Sequence, residues 1–312
     1  MSTKLSPQIR AEAEIKAQLG DTSAQEMLKP SKDGNSMPPP EFSLESSAGK
    51  RSKKGGNPQY PSINSDSEAW ITPSNPTLYR QGQGDPHPVY YNDITQGNQA
   101  NCYVMAAIAA VALTRPDLIQ NLIKPLGNNM YEVTLYKKNI WGNYEAQTYQ
   151  IEATFPNSGY YDGAPPSDNG EMWVMLLEKA FAVHYGYSYR SFDNGGNPVD
   201  PMSELMGSQA EASALFLGTS TEEIKSKILA AVQSGTPVVL GTPVFYPAPY
   251  RAEHAEQRGI IKGHAYTVLE ANEYTLKLYN PQGQFSAEGK GPEITIVWED
   301  IKRFFSRLVV GQ

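Results

Sequence analysis

The sequence predicts an α+β fold in which a helical half precedes a half of antiparallel strands. Three observations carry this prediction. The almost wholly apolar run over 101–113 has the length of a helix and no polar face, so it must be buried all round. A second pattern sets Trp173, Leu176, Leu177, Ala180 and Val183 at helical spacing. Beyond residue 236, short β-branched and aromatic runs alternate with turn residues, as antiparallel strands do.

In chain order, residues 8–28 predict a short helix, with Ala11, Ala13, Ile15, Ala17 and Leu19 among charged neighbours and an interruption at Gly20. From Pro30 to about Asp66 the chain is rich in Ser, Gly, Pro and Lys, a composition too poor in apolar surface to offset the entropy of ordering. Residues 1–65 are therefore read as a disordered extension. It serves as a linker or export address, or as a removable pro-segment nicked at the basic Arg51-Ser52-Lys53-Lys54. The body, 66–312, divides into a helical lobe over about 66–210 and a β-rich lobe over about 211–312. Its first helix, Asn101–Leu113, ends or kinks at Thr114-Arg115-Pro116. Tyr131–Tyr136 and Tyr144–Ile151 predict strands around a turn at Asn139–Asn143, and Glu171–Tyr185 predicts the second helix. Thr221–Gln233 predicts a third, capped by Thr219 or Thr221 with Glu222 and Glu223 in its first turn. Pro237–Gly241, Ala265–Ala271, Tyr274–Tyr279 and Glu293–Trp298 predict strands, with a hairpin turn at Asn272-Glu273. Val297–Leu308 predicts a closing helix.

Composition excludes several classes. The chain has 312 residues, 39% of them hydrophobic, enough to bury a core. Of its net charge of −7, residues 1–60 contribute +2 and the rest −9, which argues against a nucleic-acid partner. A single cysteine forbids an intrachain disulfide and makes a structural zinc site improbable. No signal-peptide core follows Met1, and no apolar run approaches membrane-spanning length. The expectation is a soluble, cytoplasmic protein with no membrane partner, leaving open export by a route that reads no amino-terminal signal. There is no phosphate-binding glycine loop. His184 reads as a packing or surface residue and His254 as part of a polar loop, and His87 has no evident role. Oligomeric state is not set by the sequence.

The chemistry gathers at three positions. Cys102 sits where the polar loop Gln96–Asn101 enters the apolar helix, a place where helix N–H groups favour thiolate. His264 precedes the first of two paired strands and Asn280 follows the second, so the hairpin sets them side by side despite 16 residues of separation. An Asn amide accepting from one imidazole nitrogen leaves the other to face a thiol. Cysteine, histidine, asparagine is the chain order of a papain-type hydrolase. Gln96 is placed to supply an amide N–H beside the Cys102 backbone N–H as an oxyanion donor pair. Each residue also has an ordinary reading: a small core cysteine, a strand-edge histidine, a turn asparagine, a loop glutamine.

The wider sequence resembles the calpain cysteine-protease core. Asp93-Ile94-Thr95-Gln96-Gly97 followed by Asn101-Cys102-Tyr103 is similar to that family's Asp-Ile-x-Gln-Gly and Asp-Cys-Trp elements. Trp173–Ala182 resembles its Trp-x-x-Leu-Leu-Glu-Lys-Ala-Tyr-Ala helix, Gly263-His264-Ala265-Tyr266 its histidine motif, and Asn280-Pro281-x-Gly283 its asparagine motif. Trp298 through Leu308 looks like its closing segment, so the likeness covers roughly 70–309. It implies a papain-like, two-lobed endopeptidase acting on protein or peptide substrates, with Cys102 as nucleophile, His264 as base, Asn280 as its orienter and Gln96 in the oxyanion hole. A loose similarity to a glycine-bearing loop puts Gly195 and Gly196 in the substrate groove. The resemblance also raises calcium as a cofactor, with Asp93 matching a ligand and Glu171 or Asp168 as a second carboxylate; otherwise Asp93 caps a turn. Three positions depart from the pattern: Asn101 for Asp, Tyr103 for Trp, and Gln282 for the Trp whose ring shields the His–Asn pair. Losing that ring predicts a wetter His264–Asn280 bond unless Tyr266, Tyr279 or Phe285 covers it. The rival readings are a binding module on a protease scaffold and a transglutaminase-like acyl transferase, against which Asn280 argues because that class carries Asp there.

Overall fold

Helix α1 (Cys102–Thr114) is buried from Cys102 to Ala112, as the absence of a polar face requires. Pro116 opens α2 (Pro116–Leu122), and the two helices are bent by 116°. Proline has no N–H to continue α1 but suits the first turn of a new helix. The computed structural model describes residues 70–73, 77–97, 99–158, 161–162, 171–192, 195–215, 219–246, 249–283 and 292–312. The expected extension over 1–65 lies outside the described residues.

The first half holds more β-structure than its sequence announces. Strands β2 (Ile123–Gly127), β3 (Met130–Lys138) and β4 (Tyr144–Glu152) form an antiparallel sheet. The β3–β4 turn is built by Asn139, whose Oδ1 accepts from the N–H groups of Trp141 and Asn143 at 2.9 Å. A second small sheet joins β1 (Trp70–Ile71), β5 (Phe155–Ser158) and β6 (Tyr161–Asp162). These pieces are too short, and β2 too exposed, to show the alternation from which strands are predicted. Helix α3 (Trp173–His184) starts two residues later than expected, leaving Glu171 in an isolated bridge with Thr77. Helix α4 (Val199–Met206), which the sequence did not announce, ends at Gly207 in the left-handed conformation.

The second half is organised on a six-stranded antiparallel sheet. Its strands are β7 (Glu211–Ala214), β8 (Val238–Gly241), β9 (Ala265–Ala271), β10 (Thr275–Tyr279), β11 (Glu293–Val297) and β12 (Arg307–Val310), in the order β11-β10-β9-β8-β12-β7. Helix α5 (Thr221–Gln233) is capped by Ser220 rather than by a threonine: Ser220 and Glu223 each bond the other's backbone N–H, a capping box. Helix α6 (Pro249–Gln257) contains His254, where a loop was expected. The expected closing helix is only α7 (Trp298–Phe304); the chain then turns and inserts β12 between β8 and β7. The apolar spacing of Trp298, Ile301 and Phe304 is helical, whereas Leu308-Val309-Val310 is a fully buried central strand.

Alternation along these strands sends side chains to opposite faces. Val239, Ala265, Leu269 and Val309 join the core around α1 and α3, while Leu240, Tyr266, Val268 and Leu308 join the core with Ile224, Ile228, Trp298 and Ile301. Helix α1 is bonded directly to the sheet where the Thr267 hydroxyl donates to the Ala106 carbonyl at 2.8 Å. That contact carries the start of α1 to the start of β9. Among the described residues no single helix is long and apolar enough to cross a membrane.

Candidate active site

Asn101 precedes α1 and accepts the first helical bonds, from Val104 and Met105 N–H at 2.9 and 3.1 Å. Its side chain makes no cap; the amide instead donates to Glu178 Oε1 at 2.8 Å on α3. The first-turn N–H groups of α1 are thus left for whatever lies at its mouth. Burial pushes the Cys102 thiol up to about 11, opposed by the backbone N–H groups of Ala265, Tyr103 and Cys102 itself. The Ala265 N–H sets the sulfur against the residue that follows His264.

His264 is held by its backbone. The Thr242 hydroxyl accepts the His264 N–H at 2.8 Å and donates to the Ile261 carbonyl at 2.7 Å, while Thr242 N–H donates to the His264 carbonyl at 2.8 Å. Gly263, at φ +61°, makes the turn into the strand. Imidazole Nε2 lies 2.7 Å from Asn280 Oδ1. That oxygen also accepts the Gln282 N–H at 3.0 Å, which fixes it as the acceptor end of the amide. Nε2 is therefore the protonated nitrogen, and Nδ1 keeps its lone pair. Burial lowers the His264 pKa to about 4, although the Asn280 bond pulls it upward. Asn280 is 0% exposed and His264 7%, so the pair is buried despite Gln282; of the two outcomes the sequence left open, this fits the one in which another side chain supplies the cover.

The Asn280 turn is stapled to the loop before Cys102. Gln96 N–H donates to the Pro281 carbonyl at 2.6 Å. A Cβ at Gly283 would lie 2.9 Å from Thr95 Oγ1, so only glycine permits this approach. The Gln96 amide donates to the Gln99 carbonyl at 2.5 Å through one Nε2 hydrogen, and its Oε1 is buried without a partner. Gly195 N–H bonds the Ala100 carbonyl at 3.1 Å, and a Cβ on Gly196 would meet the Tyr103 ring at 2.5 Å. The structure thus gathers Gln96, Cys102, His264, Asn280, Gly195 and Gly196 around one end of α1.

Asp93 and Glu171 face one another, both buried. Asp93 accepts the Tyr90 N–H at 2.7 Å, the turn-capping alternative to its reading as a ligand, and Glu171 accepts the Arg80 N–H at 3.0 Å. Burial and the Glu171 carboxylate beside it push the Asp93 pKa upward. Facing buried carboxylates suit a hard cation whose remaining ligands are carbonyls and water. Among the described residues no cluster of three or more His, Cys, Asp or Glu is arranged for a metal. Asp168 lies outside the described residues.

Sequence reasoning missed Thr242, and it missed Glu178 and Lys179 as anchors. Lys179 is fully buried, with Nζ donating to the carbonyls of Glu152 and Thr154 at 2.8 and 2.7 Å and lying 4.7 Å from the centre of the Trp70 ring. The signal was two adjacent charges inside an otherwise apolar helix. His184 packs between Tyr149 and Glu204, and His87 bonds Val89 N–H and Asp117.

A family model described as calpain family cysteine protease matches residues 64–307. Calpain-9 of Mus musculus is 26% identical over 220 residues, 67% of this chain and 31% of its own length. The calpain-1 catalytic subunit of Rattus norvegicus is 26% identical over 219 residues, covering 67% and 29%. The calpain-type cysteine protease DEK1 of Zea mays is 26% identical over 218 residues, covering 67% and 9%. This chain spans less than a third of the length of each of these relatives.

Proposed function

We propose that this chain, which belongs to the calpain family of cysteine proteases, is an endopeptidase that cuts protein or peptide substrates through Cys102, His264 and Asn280. The observation that carries the reading is the hydrogen bonding of the imidazole: the Gln282 N–H on Asn280 Oδ1 makes Nε2 the donor and leaves Nδ1 unprotonated, free to act as a base.

Nδ1 takes the thiol proton as sulfur attacks the carbonyl carbon of the scissile bond. The carbonyl oxygen becomes an oxyanion, which the Cys102 N–H and the second Nε2 hydrogen of Gln96 stabilise. The imidazolium gives its proton to the leaving amine, which departs and leaves a thioester. Neutral imidazole then deprotonates water, whose oxygen adds to the thioester carbon, and the thiol is released with the carboxylic acid. Thiol and imidazole are both neutral at rest, since burial raises one pKa and lowers the other. The proton therefore moves when substrate arrives. Asn280 holds the ring plane throughout, and Gly195 and Gly196 leave backbone open to an extended substrate.

Asp93 and Glu171 would hold calcium, whose charge would take the place of the proton in their side-chain hydrogen bond. The loop through Ile94 and Gln96 connects Asp93 to the Asn280 turn, so order at Asp93 is carried to the site.

The test is labelling with an epoxysuccinyl inhibitor of the E-64 type, whose epoxide is opened by the sulfur to give a thioether. One adduct on Cys102, abolished by His264→Ala, together with cleavage of casein, is the expected result. Absence of adduct and of cleavage, with and without calcium, would show a binding module instead.

A further inference from the structure

From the packing behind the base we infer that Tyr266 is a positioning residue, whose ring fixes the imidazole plane of His264 and keeps water from its bond to Asn280. The inference rests on His264 acting as the base.

His264 immediately precedes β9, and Tyr266 is the second residue of that strand. Their ring centroids lie 5.0 Å apart at 81°, an edge contact. Tyr266 is itself immobilised. Its hydroxyl accepts the Ile261 N–H at 2.7 Å and reaches the Gly259 carbonyl at 3.5 Å. Phe305 stands edge-on behind it at 5.9 Å, and Tyr266 is 0% exposed. A ring tied at its tip and backed by a second ring cannot swing aside. Tyr279 does not share the task, because its hydroxyl is committed to the Ile94 carbonyl at 2.6 Å and its ring to Tyr91. Phe285 lies outside the described residues. Tyr266 touches no reacting atom; it acts through His264.

The His264 Nε2–H proton, shared with Asn280 and shielded from exchange, gives a downfield imidazole resonance that His264→Ala removes and so assigns. The expected outcome is that Tyr266→Leu loses this resonance to exchange and lowers kcat by about 100-fold, the scale of a misplaced catalytic group. KM should stay within about twofold, since no substrate contact is removed. Tyr266→Phe should keep the resonance and recover most of kcat. A Tyr266→Leu protein retaining both resonance and kcat overturns the proposal. Should that variant fail to fold, Phe305→Leu, which removes only the ring behind Tyr266, is read in the same way. Wild-type protein that cleaves nothing yet shows a resonance lost in Tyr266→Leu sinks the peptidase reading and leaves the positioning role standing. Active wild-type protein without the resonance sinks the positioning role alone.

Discussion

Replacing Thr242 by valine keeps the shape of the side chain and deletes one oxygen. That oxygen accepts the His264 N–H at 2.8 Å and donates to the Ile261 carbonyl at 2.7 Å, in a residue only 7% exposed. Valine leaves a buried donor and a part-buried acceptor without partners, at about 1–3 kcal/mol for each orphaned group when buried. Because the Thr242 N–H to His264 carbonyl bond survives, the lower half of that range is appropriate, roughly 2–4 kcal/mol in all. For a domain this large such a loss lowers Tm by roughly 5–15 °C. The chemical consequence is larger than the thermodynamic one. His264 enters β9 through this clamp, and a shift of the imidazole by a fraction of an ångström should lower kcat by about 10–100-fold. Urea denaturation followed by tryptophan fluorescence measures the first quantity, and initial rates on a fluorogenic peptide the second. Thr242→Ser, which restores the hydroxyl, should recover most of both. A valine protein within about 0.5 kcal/mol of wild type and with undiminished kcat would show that Thr242 does not hold the base.

Three further outcomes are expected. The His264 pKa is lowered from the ordinary 6.5 to about 4, so folding favours the neutral ring; that stability is present above pH 6.5 and lost as pH falls toward 4, about 3 kcal/mol in total. His264→Gln should lose that much less than wild type between pH 7 and pH 4 in denaturant titrations, and parallel curves would contradict the assignment. Asp93→Asn removes one of two facing buried carboxylates, so the calcium-free variant should melt a few degrees above wild type; calcium should raise the wild-type Tm but not the variant's, and equal responses to calcium and EGTA in both proteins would exclude this site. Gly196→Ala places a methyl 2.5 Å from the Tyr103 ring, so kcat/KM should fall about tenfold. Adding Tyr103→Ala should restore part of the loss, and a Gly196→Ala enzyme with wild-type kinetics would mean the loop moves freely.

What the sequence made legible was what repeats at short range. Helix α1 is visible because it is apolar all round, α3 because Trp173, Leu176, Leu177 and Ala180 recur at helical spacing, and the β9–β10 hairpin because two apolar runs flank Asn272-Glu273. Cys102, His264 and Asn280 were readable from residue type and chain order. Thr242 was not, since its partner is 22 residues away and a threonine after a strand carries no local mark. Nor was β12, whose place between β8 and β7 is set by pairing with Val238–Gly241, far earlier in the chain. Contacts closed over such distances leave no periodic trace in the sequence.

The three departures from the family's sequence pattern are taken up by contacts that need only the present side chains. Asn101 offers an amide hydrogen to Glu178, where a carboxylate would face a carboxylate. Tyr103 lies beneath Gly196 at a distance no Cβ would tolerate, so the ring and the missing side chain fit one another. Gln282 contributes through its backbone N–H, which holds Asn280 Oδ1 as acceptor whatever side chain stands there. His264 is therefore oriented by the Gln282 N–H, the Thr242 hydroxyl and the Tyr266 ring together. Loss of an aromatic at 282 removes a cover without removing the geometry. On this argument Gln282→Trp should raise activity little, because the Asn280 it would shield is already fully buried.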